Sequence, residues 1–327
     1  MGSGSGSPAN QSHRLFEHAN RIGQSRHKAK LNGTARSKFF NPATLDDYKK
    51  NFTRVLVFAR QHSGLHRAAD LSPTITAAFI RSLHERGYAP TTIDKYEAVI
   101  NKADAAMREC GWKAKDAPPL LPNEPRAPKE QPDPVPFTSL EADRVLAQLA
   151  ELRDPCFWQM GILQRHAGLR VREAVMLRAE AISEEGDRLR LERGDGTKGG
   201  RPREVIVFNP VAQELLRDLR ATALKRGKRR VFVESDSEKR IKALIRAHQR
   251  ALQLVTQELA IDHSKTHDLR RTFANEVLLK LCQMGLTQSE AGRTLSKFLG
   301  HGESRMAKGL LASYIALDKL DNFRPAG

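Results

Sequence analysis

The chain has 327 residues, enough for two domains of ordinary size, each with its own core. Its 55 Lys and Arg against 38 Asp and Glu give a formal charge of +17, an excess that points to a polyanionic partner. No apolar run approaches a bilayer-spanning length and no charged start leads into an apolar core. A membrane-spanning or secreted protein is therefore not expected, and a soluble intracellular one is.

In chain order, Met1-Gly2-Ser3-Gly4-Ser5-Gly6-Ser7 reads as an expression linker. Residues 10–38 are basic, polar and poor in large apolar groups, so 1–38 is expected to be a flexible basic arm, either ordered by a polyanion or without a role. From Asn41 the pattern changes. Leu45, Tyr48, Phe52, Leu56 and Ala59 recur at helical spacing behind Pro42 and stop at Gly64. A second helix runs from Ser72-Pro73 to Gly87 with Ile75, Phe79 and Leu83 on one face. A third follows Pro90 with Ile93, Tyr96, Ile100, Ala103 and Met107, ending near Gly111. Residues 39–112 thus predict a small helical bundle whose aromatic residues are core rather than a stacking platform.

Half of the 16 prolines fall between Lys113 and Phe137, which predicts a stiff linker over 113–137 and a second domain over 138–327. That domain opens at Thr138 with Glu141 three residues on, a capping-box pattern. It is mainly α with a small antiparallel β-sheet. Arg188–Glu192 and Glu204–Phe208 alternate as strands around the glycines 194, 196, 199 and 200. Helical patterns follow at Lys239–Ile261 and His267–Met284, and another starts at Thr287 with Glu290 completing a capping box.

The second domain carries a string of groups suited to phosphodiester chemistry without a metal. Arg170 lies in Gly168-Leu169-Arg170-Val171-Arg172-Glu173, Lys198 in the hairpin loop, and His267-Asp268-Leu269-Arg270-Arg271 at a helix start. Leu299-Gly300-His301 ends a helix, and Tyr314 follows after a further helical stretch. Arginine pairs two phosphate oxygens with a planar fork and keeps its charge. A tyrosine hydroxyl can form a phosphate ester that conserves bond energy. Lysine or histidine can protonate a leaving oxygen.

In this order and spacing, the string resembles the Arg–Lys–His-x-x-Arg–His–Tyr signature of the tyrosine-recombinase, or phage-integrase, family. The likeness covers nearly all of residues 138–317, and the helical domain ahead of it resembles the family's core-binding domain. The resemblance implies a site-specific recombinase acting through a 3′-phosphotyrosine, with no cofactor or metal, on double-stranded DNA in the bacterial cytoplasm. It implies a homotetramer on paired sites, with accessory DNA-bending or directionality proteins. It implies that Arg170, His267, Arg270 and His301 surround the scissile phosphate, that Lys198 is the acid, Tyr314 the nucleophile, and Glu173 a supporting residue. Many relatives have histidine where this chain has Arg271, so no role transfers there. Independently of the family, Tyr314 is the only one of four tyrosines beyond the linker. The rival readings are a type IB topoisomerase-like nicking-closing enzyme and a non-catalytic DNA-binding accessory of the same fold.

Several groups have plainer readings. His263 and His267 are four apart but no carboxylate cluster joins them, so no metal site is expected. Glu184 and Glu185 read as surface charges. Lys225, Arg226, Lys228 and Arg229 are either a solvated helix end or phosphate contacts, and Arg201 and Arg203 are expected to extend the same surface. Cys110, Cys156 and Cys282 are far apart and odd in number, which fits reduced structural thiols.

Overall fold

The computed structural model describes residues 6–33, 35, 37–121, 135–197, 200 and 202–300. The chain divides into two compact units, Met1–Lys129 and Glu130–Gly327, with the division inside the proline-rich stretch.

The first unit is built from α1 (Pro8–His18), α2 (Arg26–Leu31), α3 (Pro42–Ser63), α4 (Pro73–Glu85) and α5 (Pro90–Glu109). Proline in the first turn of α1, α3, α4 and α5 removes an amide that would lack a partner. Asn41 and Ser72 cap α3 and α4, and Gly64, at φ 65°, closes α3 in the left-handed conformation. Phe52, Val55, Ala59, Ile100, Ala103 and Met107 are fully buried, with Phe79 and Tyr96 almost so. The aromatic positions are core, as the helical spacing predicts.

The expected flexible arm is not what the structure contains. Residues 8–18 form α1, whose Leu15 and Phe16 are fully buried, and the Phe16 ring meets Phe39 edge-on at 5.1 Å. The polar composition misleads because two of the polar side chains are themselves buried and satisfied. Gln11 donates to the His66 carbonyl at 2.7 Å and accepts from the Ala68 amide at 2.6 Å, while Ser12 donates to the Lys49 carbonyl at 2.8 Å. The first residues of the expected linker are also folded back: Leu120 is fully buried in this unit's core. Most of that linker, residues 122–134, lies outside the described residues.

The second unit contains α6 (Ser139–Ala150), α7 (Cys156–His166), α8 (Val171–Val175), β1 (Arg188–Leu191), β2 (Arg203–Ile206), α9 (Pro210–Lys225), α10 (Glu238–Glu258), α11 (Thr266–Gln283) and α12 (Gln288–Phe298). The capping boxes at Thr138/Glu141 and Thr287/Glu290 are both formed. Helix α7 is buried continuously from Met160 to Arg165, as befits an element packed on α6, α10 and α11. Strands β1 and β2 are antiparallel, with Arg188 opposite Ile206 and Leu191 opposite Arg203. Leu189, Leu191 and Val205 face the core while Arg188, Arg190 and Glu204 face solvent. No described helix is long and apolar enough to cross a membrane.

Candidate active site

The site begins with a turn that only glycine can make. Gly168 has φ +58°, and a Cβ there would stand 2.4 Å from Cδ1 of Phe273 on α11. The turn sets Arg170 at the N-cap of α8, where its amide donates to Glu173 Oε2 at 2.7 Å. Glu173 is fully buried, and its carboxylate is the hub of the site. It accepts from Arg170 Nη1 at 2.8 Å and from Arg203 Nη1 and Nη2, both at 2.7 Å. Arg270 Nη1 lies 3.6 Å from Glu173 Oε2.

Burial alone raises the pKa of Glu173, but the Arg203 hydrogen bonds and charge, then Arg270 and Arg170, outweigh it and hold it at about 2. One permanent anion therefore faces three guanidinium groups, leaving a local excess of about two positive charges. That excess suits a phosphodiester whose oxygens gain charge during substitution.

Arg270, one turn into α11, is fully buried; it donates to the carbonyl of Gly168 and, through Nη2, to that of Leu299 at 2.7 Å. Arg170 Nη2 reaches the same Leu299 carbonyl at 3.3 Å. Gly300, at φ +71°, packs on Arg203, whose Cδ is 3.0 Å from where a Cβ would sit. The last described residues before His301 are thus fixed against the arginine cluster. Lys198, Arg201, His301 and Tyr314 lie outside the described residues.

His267 opens α11, one turn before Arg270, and lines an open cavity of about 530 Å³ with Arg246, Gln249, Arg250 and Gln253 of α10. These four are exposed at spacings i, i+3, i+4 and i+7, so they form one polar face. The opposite face buries Ile241, His248, Leu252 and Val255. The sequence reading passed over this face, although Arg and Gln at that period behind an apolar stripe are visible in the sequence.

Three buried polar side chains secure the start of α11. Gln164 of α7 donates to the Thr266 carbonyl at 3.0 Å, so its Oε1 is the acceptor facing His248 Nε2 at 2.7 Å. Burial pushes His248 down to about 4, so it stays neutral and donates from Nε2. Asp268, also buried, accepts from the Lys265 amide at 3.0 Å and from Arg271 Nη1 at 2.7 Å. Arg271 therefore serves the helix start. His263 stacks on Phe137 at 4.5 Å and faces Asp268, which gives it a packing role. Among the described residues no group of three or more His, Cys, Asp or Glu is placed to hold a metal ion.

One expectation needs correction. Arg203 is not a phosphate contact: its side chain is 3% exposed and both terminal nitrogens are bound to Glu173. A cation committed to a buried carboxylate has neither the exposure nor the free charge to meet DNA. In the other basic stretch, Lys225, Arg226 and Arg229 are exposed, while Lys228 pairs with Glu234 at 2.7 Å.

Residues 141–276 match the family model described as Integrase. Among solved structures, the chain is similar to a lambda integrase dimer bound to a COC′ core site, with TM-score 0.61 and 14% identity over 92% of this chain and 80% of that one. It is similar to the XerH site-specific recombinase bound to a palindromic difH substrate, at 0.59 and 13% over 97% and 95%. The Tn1549 transposon integrase in complex with circular intermediate DNA gives 0.55 and 14% over 97% and 99%. At these identities the structural likeness establishes the fold. No curated relative matches by sequence.

Proposed function

We propose that the chain is a member of the tyrosine-recombinase, or integrase, family, whose model matches residues 141–276, and that it is a site-specific DNA recombinase that cuts and rejoins strands through Tyr314. The observation that carries the reading is the meeting of Arg170 and Glu173 with Arg270, a hundred positions after Arg170, in one net-positive cluster around a buried carboxylate.

In the proposed reaction the Tyr314 phenolic oxygen attacks the scissile phosphorus and the bond to the 5′-oxygen breaks. Lys198 gives its proton to that departing oxygen, leaving a free 5′-hydroxyl and a 3′-phosphotyrosine. The phenolic proton passes to a base, a task for which His267 and His301 are the candidates. Arg170 and Arg270 neutralise the charge that builds on the non-bridging oxygens, work that a divalent cation does in many other DNA-cutting enzymes. Glu173 stays ionised and sets the pose of Arg170. Because the phosphotyrosine conserves the phosphoester energy, a 5′-hydroxyl from another duplex can reverse the step and complete exchange.

The polar face of α10 adjoins His267, and we assign it to the duplex next to the scissile phosphate. Arg and Gln are the side chains whose paired hydrogen bonds distinguish guanine and adenine in the major groove. Lys225, Arg226, Lys228, Arg229 and Arg201 are proposed as weaker backbone contacts. Exchange between two duplexes requires several copies of the chain, so a tetramer on paired sites is part of the proposal, with accessory proteins fixing direction.

The test is cleavage of duplex DNA from the ends of the element that carries this gene, in excess EDTA. Cleavage at an undiminished rate is expected. Loss of cleavage on chelation, restored by magnesium, would contradict the mechanism.

A further inference from the structure

Lys198 falls in the sequence between β1 and β2, and the described residues on either side of it are tied to one short stretch, residues 170–178, by two guanidinium pairs whose carboxylates are fully buried. On the β2 side the pair is Arg203 with Glu173. On the β1 side it is Asp195, fully buried, which accepts from Arg178 Nε at 2.6 Å and Nη2 at 2.9 Å. Asp195 also accepts from the Glu192 amide at 2.7 Å, so it closes the tight turn that precedes Lys198. Gly196, at φ +74°, lies so close to α8 that a Cβ would stand 3.1 Å from the Arg172 carbonyl and 3.0 Å from Met176 Sδ. The same stretch 170–178 begins with Arg170.

Stability alone is a poor reason for such pairs, because a buried ion pair is often no better than well-packed apolar residues of the same volume. A single two-stranded hairpin is marginal unaided, and a loop with glycines at 194, 196, 199 and 200 is freer still. A general acid, by contrast, must be held within hydrogen-bond reach of the leaving oxygen. We propose that Asp195 and Arg178 are a positioning pair that holds the Lys198 loop in register with the phosphate-binding arginines. Arg178 bonds to Asp195, and Asp195 to the loop backbone at Glu192, so their loss acts on the acid and leaves the charge neutralisation by Arg170 in place.

The inference rests on the assignment of Lys198 as the acid, and the test separates the two. Cleavage is compared on ordinary DNA and on DNA with sulfur replacing the 5′-bridging oxygen at the scissile phosphate. Sulfur departs as a thiolate and needs no proton, so it removes the demand for an acid. Asp195→Asn is expected to fold, to bind DNA as the parent does, and to cut ordinary DNA roughly 10²-fold more slowly, the lower end of what a general acid contributes. On the sulfur-bridged DNA its rate should return close to that of the parent, and Lys198→Ala should behave alike. Arg178→Lys, which keeps the charge but loses the planar fork, should repeat the pattern and serves if Asp195→Asn does not fold. If sulfur restores Lys198→Ala but not the pair variants, or if those variants cut ordinary DNA normally, the pair does not position the acid. If Lys198→Ala itself cuts ordinary DNA normally, the acid assignment fails and the inference falls with it.

Discussion

Arg170 and Arg270 share the Leu299 carbonyl and the Glu173 carboxylate, yet they differ in one respect that decides how their loss is read. The Arg170 side chain is 19% exposed and that of Arg270 is 0% exposed. Arg170→Ala should leave the melting temperature and DNA affinity near those of the parent while abolishing detectable cleavage, since transition-state contacts affect rate more than ground-state binding. Arg270→Ala should also lose cleavage, but at a cost of about 3 kcal/mol in stability, because it strips a partner from Glu173 and from two buried carbonyls. Thermal melts run beside single-turnover cleavage check both statements; an active Arg170→Ala would remove it from the site. The two arginines were legible as residues because their neighbours form a recognisable string. Arg203 was not, because an arginine beside two other basic residues in a glycine-rich loop looks like surface charge. Only its pairing with a carboxylate thirty positions earlier shows that it belongs to the interior.

At the scale of elements, the turn before α8 is the least tolerant part of the site. Gly168 combines φ +58° with contact against the Phe273 ring, so Gly168→Ala meets both backbone strain and a clash with a buried side chain. We expect a loss of about 2 kcal/mol or more and a fall in cleavage, since Phe273 and Arg270 lie on the same helix, α11. Urea unfolding at fixed pH measures the first. A variant as stable as the parent would show that the turn can relax. Most helices of the two units were readable from period, caps and proline placement, and the hairpin from its alternation and glycines. Helix α1 was not, because Gln11 and Ser12 make its buried face look polar, and they qualify as interior only through bonds to residues 37 to 57 positions away.

For the molecule as a whole, the proposed function and a charge of +17 together predict a DNA affinity that depends strongly on salt through counterion release. A log–log plot of affinity against salt should be linear and steep. Arg250→Ala, on the α10 face, should weaken binding and reduce the slope by about one. An unchanged slope would take α10 out of the interface. The order of the proposed catalytic string is legible in the sequence, whereas the sharing of the Glu173 carboxylate is not, because it depends on Arg203 and Arg270, 30 and 97 positions further along the chain.

The central claim is that Tyr314 becomes joined to DNA. A duplex nicked close to the cleavage point lets the short fragment carrying the 5′-hydroxyl diffuse away, which prevents religation and traps the adduct. Protease digestion and mass spectrometry of the trapped complex should find DNA attached through a 3′-phosphate to the peptide containing Tyr314. Tyr314→Phe should bind the same DNA and form no adduct. An adduct on any other residue, or an undiminished adduct with phenylalanine in place, would contradict the account.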